Sequence, residues 1–169
     1  MERNAKGFAW VAAALLLTGT LAQAQDLARE ARYADITVGN SVATILQIGA
    51  YNNARVDQSG ARLNQAVSQT GSRNQAVVNQ SGVNNTITAQ QNGTANTAQV
   101  SQSGTHNQTG VTQHGTDNAA SVVQTGAYNQ AFVGQYGQAN QASVTQAGFG
   151  GAVSVKQFGD NMKASATQR

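Results

Sequence analysis

Apolar and polar positions alternate along most of the chain. From residue 41 onward, small apolar residues stand two apart, as Ala54 and Val56 do, and mostly polar residues lie between them. A period of two with one apolar face is typical of a β-strand. At these alternating positions, only Gln65 and Thr109 are not apolar. The pattern predicts twelve strands, over residues 41–47, 52–58, 63–69, 74–80, 85–91, 96–102, 107–113, 118–124, 129–135, 140–146, 151–157 and 162–168.

An 11-residue repeat sets the spacing of these strands. A glutamine closes each predicted strand, with no insertion anywhere in the series: Gln47, Gln58, Gln69, Gln80, Gln91, Gln102, Gln113, Gln124, Gln135, Gln146, Gln157 and Gln168. A glycine follows two residues after the first eleven of them: Gly49, Gly60, Gly71, Gly82, Gly93, Gly104, Gly115, Gly126, Gly137, Gly148 and Gly159. An asparagine stands five residues after the glutamine in eight units: Asn52, Asn74, Asn85, Asn96, Asn107, Asn118, Asn129 and Asn140.

Two other interpretations of this chain are weaker. An 11-residue repeat is also found in right-handed coiled coils, but a glycine in every unit costs about 1 kcal/mol each in a helix, and the apolar spacing here is i+2. A composition rich in Gln, Asn, Ser, Thr and Gly is found in disordered chains as well as in cross-β stacks. The regular order of the residues favours the ordered stack.

The predicted fold is all-β, a two-sheet parallel, amyloid-like β-solenoid over residues 41–168. Each strand has one thin apolar stripe, so two consecutive units can form a strand-turn-strand arch that buries both stripes. Two units make one 22-residue rung of two strands, and twelve units make six rungs. At about 4.8 Å for each rung the body is about 29 Å long.

The repeated polar residues have a role in this stack. The glutamines and asparagines face inward with the apolar residues, where an unpaired amide is costly, and we expect each amide to bond its equivalents in the rungs above and below. These residues are the predicted amyloid core ladder. The glycines are the predicted turn residues, because positive φ is accessible to glycine at little cost.

The first 40 residues lie before the repeat. Arg3 and Lys6 precede an apolar run over residues 8–21, and Ala22 and Ala24 provide a cleavage site, which predicts a cleaved signal peptide over residues 1–24. Residues 25–40 are predicted to be a short N-terminal lead segment. The first repeat strand and the last then have uncovered edges, so the chain is expected to form a filament by contact between its unlike ends.

Composition and charge argue against several functions. The chain has no Cys, and its 10 Lys and Arg residues against 7 Asp and Glu residues form no cluster that would bind nucleic acid. His106 and His114 have no acidic or Cys neighbour at a ligand spacing. We therefore predict no catalytic residues, no metal site, no cofactor and no small-molecule substrate. A distant alternative, an ice-binding solenoid, lacks the rank of outward Thr that it needs.

The repeat resembles that of a known family. The segment from Gln69 through Gly71, Asn74 and Ala76 to Gln80 follows the pattern Q-x-G-x-x-N-x-A-x-x-x-Q, which is similar to the curlin repeat of bacterial curli fibres. The resemblance implies an extracellular functional amyloid, associated with the cell surface, that supports biofilm and adhesion. It implies secretion through the periplasm and an outer-membrane channel with accessory factors, and as fibre partners further copies of the chain and another curlin subunit.

Details outside the regular repeats resemble the minor curlin subunit, which nucleates and anchors the fibre. The lead segment lacks the glycine-rich export sequence of the major subunit. Gly151 and Met162 stand where asparagine is expected, and the end carries Lys156, Lys163 and Arg169, which the resemblance associates with surface attachment. The regularity of the other repeats keeps the major fibre subunit as the alternative.

Overall fold

The computed structural model describes residues 31–38 and 40–169, with side chains described from Asn40 onward. The predicted signal peptide lies outside the described residues, as does the start of the lead segment. Thirteen strands make up the described fold: β1 (Ala31–Val38), β2 (Ser41–Ala50), β3 (Asn53–Ala61), β4 (Asn64–Ser72), β5 (Gln75–Val83), β6 (Thr86–Thr94), β7 (Thr97–Thr105), β8 (Gln108–Thr116), β9 (Ala119–Ala127), β10 (Gln130–Gln138), β11 (Gln141–Phe149), β12 (Ala152–Phe158) and β13 (Lys163–Gln168).

The strands alternate between two sheets. Sheet 1 has the order β1-β2-β4-β6-β8-β10-β12, and sheet 2 has the order β3-β5-β7-β9-β11-β13. From β2 onward all neighbours are parallel and in register, each residue opposite its equivalent two repeats away, so that Gln47 pairs with Gln69 and Gln58 with Gln80. The predicted six-rung parallel β-solenoid is confirmed.

The core is a thin layer between the two sheets. Ala98, Val100 and Val122 are fully buried, as are most of the small apolar residues that alternate along the strands. Because the alternate residues of a strand face opposite sides, the same alternation leaves polar residues on both outer surfaces. The layer thins at the last rung, where Val153, Val155 and Ala166 are only partly buried.

Most strands are longer than the repeat pattern predicts. They begin one residue later and end three residues later, so that two residues, Tyr51 and Asn52, separate β2 from β3. The predicted strands leave four residues between them, such as residues 48–51, and this spacing was wrong because pairing continues through the glycine: Gly49 pairs with Gly71, its equivalent in the next rung.

Strand β1 was not predicted. It pairs antiparallel with β2, from Val38 opposite Ser41 to Ala31 opposite Ile48. The expectation that the first strand of sheet 1 has an uncovered edge was therefore wrong. Two residues, Gly39 and Asn40, separate the paired strands, and Gly-Asn between two apolar runs is a sequence signal for a β-hairpin.

Candidate functional site

Glutamine side chains form a continuous column inside sheet 1. Each Nε2 donates to the Oε1 of the glutamine one rung on, at 2.6–2.8 Å, through Gln47, Gln69, Gln91, Gln113, Gln135 and Gln157. From Gln69 onward, Nε2 also donates across the core to a backbone carbonyl of sheet 2, as Gln113 does to Thr97 at 2.9 Å. The column therefore ties rung to rung and sheet to sheet.

The glutamine column of sheet 2 is interrupted near its start. It runs from Gln80 through Gln102, Gln124 and Gln146 to Gln168, with distances of 2.7–3.1 Å. Gln58 instead donates to the Val42 carbonyl at 3.0 Å. The Oε1 atom of Gln80 is consequently buried without a hydrogen-bond partner in the described part of the chain.

The two polar residues that break the apolar pattern both lie in sheet 1. Thr109 Oγ1 accepts a hydrogen bond from Gln102 Nε2 at 3.3 Å and donates to Gln124 Oε1 at 2.6 Å. Gln65, two rungs earlier, is fully buried, and neither its Nε2 nor its Oε1 has a hydrogen-bond partner among the described residues. Thr109 thus joins the glutamine column of sheet 2, whereas Gln65 joins neither column.

The asparagines bond mainly to the backbone. Their Nδ2 atoms donate to a glycine carbonyl of the next rung at 2.6–3.0 Å, as Asn96 does to Gly115. Their Oδ1 atoms accept from the backbone N–H one rung on, at 2.9–3.2 Å. Each asparagine therefore fixes its own turn to the turn above it, a role that the expected amide-to-amide ladder did not include.

The repeat glycines mostly lie within the strands, two residues before each turn residue of positive φ. Their φ angles run from 104° to 139°, a region that other residues rarely adopt. A Cβ atom built on Gly104 would lie 1.9 Å from the Gly126 carbonyl oxygen. Glycine is required there both by backbone conformation and by the close approach of the next rung.

The left-handed turn residue was missed by sequence analysis. It directly precedes the asparagine position, with φ between 53° and 59° in ten non-glycine residues, among them Tyr51, Ala95, His106 and Ala139. A left-handed conformation costs a non-glycine residue about 1–2 kcal/mol. The residue types at this position vary so widely that they give no sequence signal.

The residues of the predicted surface-attachment end do not form one patch. Lys156 lies on β12 in sheet 1, whereas Lys163 lies on β13 in sheet 2 and Arg169 follows that strand. All three are exposed. Gly151 and Met162 end the asparagine columns: their backbone N–H groups donate to the Oδ1 atoms of Asn129 and Asn140, and neither has an amide side chain to continue the column.

Exposed aromatic rings also stack between rungs. His114, Tyr136 and Phe158 form one column, with ring centroids 5.4 and 4.9 Å apart and nearly parallel planes. His106 stacks on Tyr128 at 4.7 Å in a second column. The sequence analysis did not predict these columns. Both histidines therefore lie against aromatic rings.

The described part of the chain offers no metal-binding cluster. Among residues 40–169, no group of three His, Cys, Asp or Glu side chains is placed to hold a metal ion. The described residues also form no helix that is long and apolar enough to cross a membrane.

The two ends of the solenoid differ. At the N-terminal end, β1 covers sheet 1, and the edge of sheet 2 is β3, which carries an Arg55–Asp57 ion pair at 2.9 Å. At the other end, β12 and β13 are both edge strands in the described chain. Unpaired backbone groups on such edges can pair with strands of another molecule.

A model of the curlin associated repeat matches residues 82–115 and 115–148. No curated protein and no solved structure gives a significant match. The matched segments lie in the regular middle of the solenoid, where the glutamine and asparagine columns are continuous. Residues 82–148 are thus similar to curlin associated repeats, and in the structure each rung of the two parallel sheets spans two such repeats.

Proposed function

We propose that this protein is a structural subunit of extracellular curli amyloid fibres and not an enzyme. The observation that carries the proposal is the last rung of the described chain, where β12 and β13 pair with no further described strand on a stack whose parallel strands are in register. Solenoid proteins that remain monomeric cover such edges. A further copy stacked there extends both sheets and the amide columns without any change of fold.

Within the fibre, we propose the role of the minor subunit, which nucleates polymerisation and anchors the fibre at the cell surface. Three features support this role: the lead segment without a glycine-rich sequence, the irregular Gly151 and Met162, and the exposed Lys156, Lys163 and Arg169. The proposed route is export with a cleaved signal peptide and passage through the periplasm and an outer-membrane channel. The fibres support biofilm and adhesion.

The major fibre subunit is the second candidate. The continuous columns of sheet 1 favour it, because a subunit that repeats along a whole fibre needs every rung to stack equally well.

Assembly tests the fibre proposal. The purified protein should form fibres whose diffraction has a meridional spacing of about 4.8 Å. A protein that stays monomeric at high concentration would falsify it.

A second assay separates the two roles: sub-stoichiometric protein is added to a major curlin subunit. A shortened lag supports nucleation, whereas an unchanged lag together with fast self-assembly supports the major role.

A further inference from the structure

Strand β1 occupies the place that a stacked copy needs. Each parallel strand pairs with the strand two repeats further along the chain, so a second copy stacked in the same way pairs its β2 with β12 and its β3 with β13. No strand of the described residues covers the edge of β3, whereas β1 covers β2 from Ser41 to Ile48. With β1 in place, only half of the junction can form.

The amide columns give the junction a direction. In both columns Nε2 of one glutamine donates to Oε1 of the next glutamine toward the C-terminus, as from Gln113 to Gln135. The C-terminal end thus offers the Nε2 atom of Gln157, whose bond to the Gln141 carbonyl uses one of its two hydrogens. Only the Oε1 atom of Gln47 in another copy continues this column, and residue 32 of β1 is the partner of Gln47 in the hairpin register.

Antiparallel β1 does not reproduce a rung. Its described register with β2 ends at Ile48, one residue before Gly49, so the described part of β1 provides no partner for the glycine through which the parallel pair of β2 and β4 continues. It is also joined to β2 by only two residues, so it can leave and return without any change in the solenoid.

We propose that β1 is a reversible cap on the first rung, and that a second copy stacks on the open β12–β13 rung only after its own β1 has left β2. A capped molecule accepts another copy at its C-terminal end but cannot itself add to one. This inference rests on the proposed fibre function. Only molecules whose β1 has left β2 can add to a fibre, and the apparent affinity falls with the fraction of such molecules. The cap therefore slows elongation but does not affect the ability of the β12–β13 rung to accept another copy.

A disulfide lock tests the cap directly. The chain has no Cys, so Thr37→Cys with Val42→Cys, at directly paired positions of β1 and β2, can form one intramolecular bridge. Paired positions of antiparallel strands have the Cα separation that a disulfide needs. The matched control is Leu46→Cys with Ser68→Cys, which joins β2 to β4, strands that stay paired in either state.

Elongation of preformed wild-type fibres is followed with oxidised and reduced protein. We expect the oxidised Thr37→Cys/Val42→Cys protein to stop adding to fibre ends, the reduced form to recover, and the control to elongate in both states. Labelled oxidised protein mixed with wild-type monomer should lie only at fibre ends. Equal elongation in both redox states, or label along the fibre length, overturns the cap and leaves the fibre function standing.

A second variant opens the cap. Ala34→Pro with Ile36→Pro removes two backbone N–H groups from β1 and disfavours its pairing, so we expect faster elongation than in the wild type. Elongation at the wild-type rate contradicts the inference even where the disulfide does not form completely. If the wild-type protein forms no fibres at all, the proposed fibre function is wrong, and the cap inference is wrong with it.

Discussion

Thr109 Oγ1 lies 2.6 Å from Gln124 Oε1 and donates a hydrogen bond to it across the core. The same hydroxyl accepts from Gln102, so a residue that breaks the apolar pattern is satisfied on both sides. Gln65 holds the equivalent place two rungs earlier, and no described residue pairs with either of its amide atoms. A threonine at residue 65 should repeat the arrangement of Thr109.

Gln65→Thr is therefore expected to stabilise the solenoid. It removes two unpaired buried atoms and offers a donor to Gln80 Oε1, at the cost of some lost volume, with a net gain of about 1–2 kcal/mol. The measurement is the denaturant midpoint of unfolding by circular dichroism. Gln99→Thr, on the exposed face, is the control and should change little. A lower midpoint for Gln65→Thr contradicts the assignment.

Gln113→Met tests the column of sheet 1. It retains the volume of the side chain but removes the acceptor for Gln91 and the donor for Gln135, and we expect a loss of about 1–3 kcal/mol. The exposed Gln130 provides the control as Gln130→Met, which should stay within about 0.5 kcal/mol of the wild type. Equal midpoints for the two variants would show that the column adds nothing to stability.

Gly104→Ala tests the approach of the rungs. Its Cβ would lie 1.9 Å from the Gly126 oxygen at a φ of 109°, so we expect a loss of at least about 3 kcal/mol. Gly134→Ala is the control, because its Cβ meets nothing closer than Tyr136 Cε2 at 3.4 Å. Thermal unfolding compares the two, and a stable Gly104→Ala protein would rule out the stacking geometry.

Ala139→Gly tests the strain at the turns. Residue 139 has φ 53°, which costs alanine free energy that glycine does not lose, so we expect a gain of about 0.5–1 kcal/mol. Ala147→Gly, within strand β11, should lower stability by a similar amount. If Ala139→Gly and Ala147→Gly shift the unfolding midpoint in the same direction, the left-handed conformation of residue 139 is contradicted.

The repeat predicted the sheets, the rung length and the inward amides, because period and spacing are properties of the sequence itself. The repeat did not predict that Gln113 and Gln124 have different hydrogen-bond partners. Gln113 donates to a backbone carbonyl of the opposite sheet, whereas Gln124 accepts from the Thr109 hydroxyl. These glutamines occupy equivalent places in the repeat, so the repeat pattern alone does not distinguish their partners.

Other features were missed because their signals are short or absent. The cap β1 depends on a single Gly39-Asn40 pair before β2, which the longer repeat obscures. The left-handed residue can be Tyr51, His106 or Ala139, so only backbone geometry reveals it.

The glycine φ angles of 104° to 139° also determine which chains the open rung can recruit. An edge strand normally pairs with almost any extended peptide. A strand without glycine in this register cannot follow the backbone at Gly159, which comes directly after β12, and its side chain there obstructs the strand after it. In the proposed fibre, a foreign strand that pairs with the open rung is therefore not followed by another, so foreign strands do not accumulate along the fibre.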